Sequence, residues 1–245
     1  MRLSGRVTTA VATALLVASC SAAPPPAAPL GTAPQPVPVT TPPPATKAPM
    51  VRIMPLGDSI TAGARSSDES GYRTDLLRLL TRAGWRVDMV GSQESGDGPD
   101  PDHEGHSGWT MTQLARRLDG WLARSRPDVI LLHAGTNDLR DDQDAQLAPQ
   151  VLTRILARIA RDRPGAQVFV AQIIGNRDLG DGAVRQRRAD AYNAQVPAIV
   201  AAAGPNFHLV DQRAVRGRDL ADKLHPADRG YRRMARTWFA ALQEL

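Results

Sequence analysis

Three things are scarce in this sequence. Its 245 residues include one cysteine, which excludes an internal disulfide framework and a zinc site built on thiolates. Phe, Trp and Tyr together make up 4% of the chain, thin for a broad surface that stacks bases or sugars. The apolar, small-residue run Val7–Val17 is well short of the ~20 residues that span a bilayer. What is present is ordinary for a globular protein: 42% hydrophobic and 22% charged residues. That length favours one large domain over two small ones. The chain has 30 Lys and Arg against 25 Asp and Glu, a net +5, which at first sight invites an anionic partner.

Most of that charge excess lies at the N-terminus. Arg2 and Arg6 precede the apolar run, as in an export signal. Val17-Ala18-Ser19-Cys20 resembles a bacterial lipobox. The resemblance implies cleavage before Cys20 and diacylglycerol on its thiol, so the mature protein would sit on the outer face of the membrane. The alternative is conventional cleavage after Ala23 and secretion. Residues 21–50 hold 11 of the 20 prolines, a composition that forms an extended spacer and no core. The expected organisation is a signal peptide at 1–19, a lipidated Cys20 with a proline-rich linker at 20–50, and a globular domain at 51–245. Arg2, Arg6 and Lys47 precede residue 51 and no acid does. The domain therefore carries 27 basic and 25 acidic residues, a net +2. A nucleic-acid partner is not expected at that charge.

Within the domain, strand and helix periods alternate. Strands are expected at Val51–Pro55, Arg86–Val90, Asp128–His133, Gln167–Ile174 and Phe207–Val210. Apolar residues at helical spacing follow each strand: Tyr72 to Ala83, Leu114 to Leu122, Val151 to Ile159, Tyr192 to Val200, and a last helix over 226–244. Residues 91–108 read as a long Gly/Asp/Pro loop. Thr110 with Gln113 reads as a capping box, and Pro226 as the first residue of the last helix. Five β-then-α units with right-handed crossovers imply an α/β fold. The expected architecture is a three-layer α/β/α sandwich on a flavodoxin-like five-stranded parallel sheet, order 2-1-3-4-5, with active groups at the carboxyl ends of the strands.

Four short blocks fall at those ends: Gly57-Asp58-Ser59-Ile60, Gly91-Ser92, Gly135-Thr136-Asn137-Asp138 and Asp222-Lys223-Leu224-His225-Pro226. Their chemistry fits acyl transfer. A serine hydroxyl needs a base to take its proton, and His225 supplies one for Ser59. Asp222, three residues earlier, can share a side of a helical turn with His225 and hold its tautomer. The backbone N–H groups of Ser59 and Gly91 and the Asn137 amide are the expected oxyanion donors.

These blocks resemble the Ser, Gly, Asn and His blocks of the SGNH (GDSL) hydrolases, over 51–245. The resemblance implies a serine esterase or lipase. Met54–Thr61, Gly71-Tyr72-Arg73, Val87–Ser92, Asp102–Trp109, Trp121-Leu122 and Pro127–His133 resemble more narrowly the acetyl-xylan-esterase branch, carbohydrate esterase family three. That branch removes acetyl groups from plant-type polysaccharides. A proline tether with a lipid anchor suits a cell-surface role, so the substrate could be another acetylated glycan.

The remaining polar residues read mostly as structural. Asp58 is expected to bond nearby backbone. Asp138 is expected to cap the helix after Asn137, with Asp141, Asp142 and Asp144 in an acidic first turn. Residues 100–105 look like the start of a calcium loop, but Met111 stands where its bidentate acid belongs, so no metal is expected. His106 and Trp109 are candidates for lining the substrate cleft; His133 and His208 are expected in structural roles. The arginines at 185, 187, 188, 229, 232, 233 and 236 read as a solvated face. The expected function is deacetylation of carbohydrate by a cofactor-free, monomeric serine esterase. A lysophospholipase- or thioesterase-type lipase on the same residues is the first alternative, and a non-catalytic glycan-binding lipoprotein the second.

Overall fold

The computed structural model describes residue 23 and residues 49–177 and 179–245. The signal segment, Cys20 and nearly all of the linker lie outside the described residues. In chain order the elements are β1 (Met50–Gly57), α1 (Ser59–Ala62), α2 (Arg73–Arg82), β2 (Arg86–Met89), β3 (Gln93–Glu94), β4 (Asp102–Gly105), α3 (Met111–Ser125), β5 (Val129–His133), α4 (Asp142–Asp162), β6 (Gln167–Gln172), α5 (Gly182–Ala203), β7 (Phe207–Asp211) and α6 (Asp228–Leu242).

Five parallel strands run in the order β2-β1-β5-β6-β7, the expected 2-1-3-4-5. Their side chains alternate between two cores, as strand geometry requires. Met54, Leu56, Ile130, Leu132, Val168 and Val170 face α3, α4 and α5. Ile53, Val129, Leu131, Phe169, Ala171 and Val210 face α2 and α6. Helices therefore cover both faces of the sheet, which makes the three layers.

The structure departs from expectation at the edge of β1. The segment expected as loop, 91–108, contains β3 and β4. β4 pairs in parallel with Leu56 and Gly57, and β3 pairs antiparallel with β4. One edge of β1 is thus shared. β2 occupies Met50–Ile53 and β4 takes over at Leu56. Pro55 explains the join. A proline cannot donate to a ladder and is normally kept out of central strands. Ile53 O and Gly57 O both accept from this edge, from Val90 N–H and His106 N–H. The nitrogen of Pro55 faces the same side by alternation, where β2 has ended and β4 has not begun.

Arg73 staples this region together. It is buried, and its guanidinium donates to the carbonyls of Thr61, Ala62, Glu69, Ser95 and Pro101. A single side chain thus ties the end of α1 and the segment after it to the loop between β3 and β4. The capping box forms as expected, with Thr110 N–H donating to Gln113 Oε1 at 2.8 Å. α3 buries Leu114, Leu118, Trp121 and Leu122.

Candidate active site

Ser59 stands at the carboxyl end of β1, as the first residue of α1. Asp58 caps that helix, its Oδ1 accepting Ile60 N–H at 3.0 Å, the structural role expected of it. It is fully buried, and burial pushes its carboxyl up to about 7 against the lowering effect of the Ile60 bond. Ser59 Oγ lies 3.0 Å from His225 Nε2. His225 Nδ1 lies 2.9 Å from Asp222 Oδ2. The three expected catalytic residues come together across 163 to 166 residues of sequence only because β1 and the loop after β7 end on the same side of the sheet.

The loop that carries the base is not helical. Leu220 bridges Pro226, and Ala221 N–H donates to His225 O at 2.8 Å, closing residues 221–225 into a tight bend. Asp222 Oδ1 accepts the N–H groups of Leu224 and His225 at 3.0 and 2.8 Å. This Asx-type turn, not a helical one, sets Asp222 against the imidazole. Burial opposes ionisation of Asp222. The N–H bonds from His225 and Leu224 and the bond to the imidazole outweigh it and hold the carboxyl well below the usual range. Arg65 Nε also reaches Asp222 Oδ2, at 3.2 Å. Pro226 does not open the last helix as expected. It is held in the bridge to Leu220, and α6 starts at Asp228 after the cap residue Ala227.

Asn137 follows β5, the neighbour of β1. Arg140 donates to its Oδ1 at 2.8 Å, which fixes the amide orientation, and its Nδ2 donates to Trp109 O at 2.9 Å. An amide nitrogen carries two protons, so the second remains for a ligand. The loop bonded to Asn137 is thus 106–110. Gly91 is not brought to this end of the sheet. The ladder between β2 and β1 ends with Val90 N–H on Ile53 O. Gly91, one residue on, is level only with the middle of β1. Its glycine character has another cause: a Cβ there would stand 2.0 Å from His103 O on β4.

The 106–110 loop holds Gly108, which the sequence reading did not single out. It has φ +81° and open space where a Cβ would stand, one residue before the carbonyl that Asn137 holds. A glycine followed by the capping box of α3 was the available signal, because a left-handed turn there favours Gly.

The turn is braced from beneath. Glu104 is fully buried and accepts Ser92 N–H at 2.9 Å, Ser92 Oγ at 2.7 Å and His106 Nε2 at 2.6 Å. The His106 ring stacks on Trp109 and Trp121, with centroids 4.4 and 4.6 Å away. His106 N–H donates to Gly57 O at 2.9 Å. Both cleft candidates, His106 and Trp109, line a cleft of about 760 Å³ beside α1, with Arg65, Glu69, Gln93 and Glu94.

The sequence profile of the GDSL-like lipase/acylhydrolases matches residues 56–233, from the end of β1 into α6. The chain belongs to this family. Among solved structures, a family 3 carbohydrate esterase of Clostridium thermocellum is 36% identical, with a TM-score of 0.69 over 80% of this chain and 96% of that one. A family 3 carbohydrate esterase of Talaromyces cellulolyticus is 28% identical, with a TM-score of 0.67 over 80% and 97%. A multidomain esterase of Ruminococcus flavefaciens is 29% identical over 221 residues, 79% of this chain. This chain spans 28% of that relative's length.

In this GDSL-like hydrolase the other histidines are taken up by the framework. His103 bonds Ser95 Oγ through Nε2 and Gly105 N–H through Nδ1, at 2.8 and 2.9 Å. Burial pushes it down to about 3. His133 is fully buried, accepts Ile174 N–H at 3.3 Å, and is pushed down to about 4 by that burial. His208 bonds Gln167 and stacks on Phe169. Asp138 caps a different helix from the one expected. Its carboxylate accepts Met111 N–H at the start of α3, while Asp141 caps α4. Chain proximity alone pointed to α4; the packing of α3 against the end of β5 redirects the carboxylate.

Proposed function

We propose that the chain is a serine esterase that removes acetyl groups from carbohydrate. The observation that carries this is the chain of contacts from Ser59 through His225 to Asp222, 3.0 and 2.9 Å long. In this reading Ser59 Oγ attacks the ester carbonyl as His225 Nε2 takes its proton. Ser59 N–H, Gly108 N–H and the free Asn137 amide proton receive the oxyanion. The tetrahedral intermediate collapses, the bond to the sugar oxygen breaks, and His225 returns the proton to that oxygen. Water then gives its proton to His225 and attacks the acetyl-Ser59 carbonyl; as this second intermediate collapses, the bond to Ser59 Oγ breaks, His225 returns the proton to Oγ, and acetate leaves. Asp222 stays ionised throughout and stabilises the imidazolium. No step calls for a cofactor. The groups all come from one chain, which suits a monomer.

The cleft favours sugar over a long acyl chain. Its lining is largely polar, with Arg65, Ser66, Glu69, Gln93, Glu94, Ser95 and Ser107 beside the rings of His103, His106 and Trp109. A lysophospholipase would need an apolar channel. Likeness to the two family 3 carbohydrate esterases supports the acetylated-glycan assignment.

Rates on p-nitrophenyl esters of rising chain length test the reading. Acetate should be turned over fastest, and Ser59→Ala should lose ~10³-fold or more in kcat/KM while keeping its fold. A preference for octanoate or longer esters would replace it with the lipase reading. Export and anchoring through Cys20 belong to the same proposal. Cys20→Ala should move the protein from the membrane to the soluble fraction, and an equally soluble wild type would remove the anchor.

A further inference from the structure

α6 carries Arg229, Arg233 and Arg236, spaced so that they share one face of the helix. Read from the sequence, they are part of a solvated face. The fold gives them company. Arg216 and Arg218, from the turn after β7, complete a pocket of about 680 Å³ with them, beside Asp219 and Ala214. Asp219 is the one acid in the lining and is buried. It accepts Arg229 Nε at 2.8 Å and an Arg233 terminal nitrogen at 2.7 Å. Arg216, Arg218 and Arg236 have no carboxylate partner among the described residues.

Five guanidinium groups around one carboxylate leave a strong positive excess in a concave site, on a domain whose net charge is only +2. Like charges so placed repel unless an anion joins them. Guanidinium forks match carboxylates in paired hydrogen bonds. No aromatic ring lines the pocket, so base stacking has no platform.

The pocket also adjoins the proposed catalytic loop. Asp219 O accepts Ala227 N–H at 2.9 Å, and Leu220 bridges Pro226. The bend bearing Asp222 and His225 therefore springs from the pocket wall. We propose that this pocket binds carboxylate groups of an acidic, uronate-bearing polysaccharide, extending substrate recognition beyond the ester site. The proposal rests on the glycan-esterase reading for its choice of polymer.

Binding of a non-acetylated oligogalacturonate, measured by calorimetry, tests it. Wild type should bind, more weakly at high salt. The variant Arg216→Gln/Arg218→Gln/Arg236→Gln should bind about tenfold or more weakly. None of these three arginines touches Ser59, His225 or Asp222, so p-nitrophenyl acetate turnover should be unchanged in the variant. KM for an acetylated acidic glycan should rise in it, with KM for a neutral acetylated xylan unaltered. Absence of wild-type binding, equal binding by the variant, or tighter binding of polyphosphate or anionic vesicles would each overturn the proposal. Turnover of p-nitrophenyl acetate reads the esterase assignment separately, so the two failures are distinct.

Discussion

Asn137 does two jobs with one amide. Its Nδ2 holds Trp109 O with one proton, and in the proposed mechanism the other receives the oxyanion. Asn137→Ala should lower kcat on p-nitrophenyl acetate by 10²–10³-fold, about 2.7–4 kcal/mol of transition-state stabilisation, with KM little changed. Steady-state kinetics beside a thermal melt separates this from unfolding. Asp58, next to the nucleophile, has a consequence for stability. Burial raises its pKa from 3.8 to about 7. The unfolded chain loses this proton near its ordinary pKa, while the folded chain keeps it to about 7. Stability therefore falls as pH rises through that window, by on the order of 4 kcal/mol at the alkaline end. Asp58→Asn keeps the acceptor for Ile60 N–H and removes the buried charge. Its melting temperature should stay flatter across the window than that of wild type, with the widest gap above pH 7. Equal slopes for the two proteins would show that another group governs the dependence.

β4 and the turn after it are the element that separates the sequence reading from the fold. Two β4 residues, Glu104 and Gly105, pair with Leu56 and Gly57, and His106 N–H donates to Gly57 O, two residues before Ser59. Strands of two and four residues leave too little alternation to stand out from a Gly- and Asp-rich loop. Gly91 was legible as a strand-end glycine, but its neighbour across the edge, His103 on β4, was not. The capping box of α3 was legible because it is local. Glu104 should be the brace of this element. Glu104→Leu leaves Ser92 and His106 without their acceptor, and a displaced oxyanion turn should lower kcat about 10²-fold. Binding of a small ester should change little. A fall in KM-independent stability alone, with kcat of the folded fraction intact, would reduce Glu104 to a packing residue.

Across the whole molecule, the sheet keeps two cores apart. Leu152 belongs to the layer of α3, α4 and α5, and Met234 to the layer of α2 and α6. Leu152→Ala and Met234→Ala should each cost about 2–5 kcal/mol. With no shared partners, their costs in the double variant should add to within about 0.5 kcal/mol in denaturant unfolding. A larger deviation would mean that the layers communicate through the strands. Charge also reads differently at this scale. The excess of +5 over the chain falls to +2 in the domain, and five arginines are gathered at one pocket.

The sequence by itself determined the layers, the strand order and the three residues, Ser59, His225 and Asp222, that the fold brings into contact. Those rest on period-two and helical spacing and on blocks at strand ends, all of which are local. Tertiary structure decided what depends on neighbours distant in the chain. It placed β4 and not β2 beside the end of β1, so that Gly91 packs against His103 and the turn 106–110 follows Gly57. It turned Asp222 toward His225 by two backbone N–H bonds in place of a helical turn, and it turned Asp138 toward α3. It also gathered arginines from α6 and the turn after β7 around one buried carboxylate. Side-chain spacing along a chain fixes which face a residue shares; only packing fixes what stands opposite.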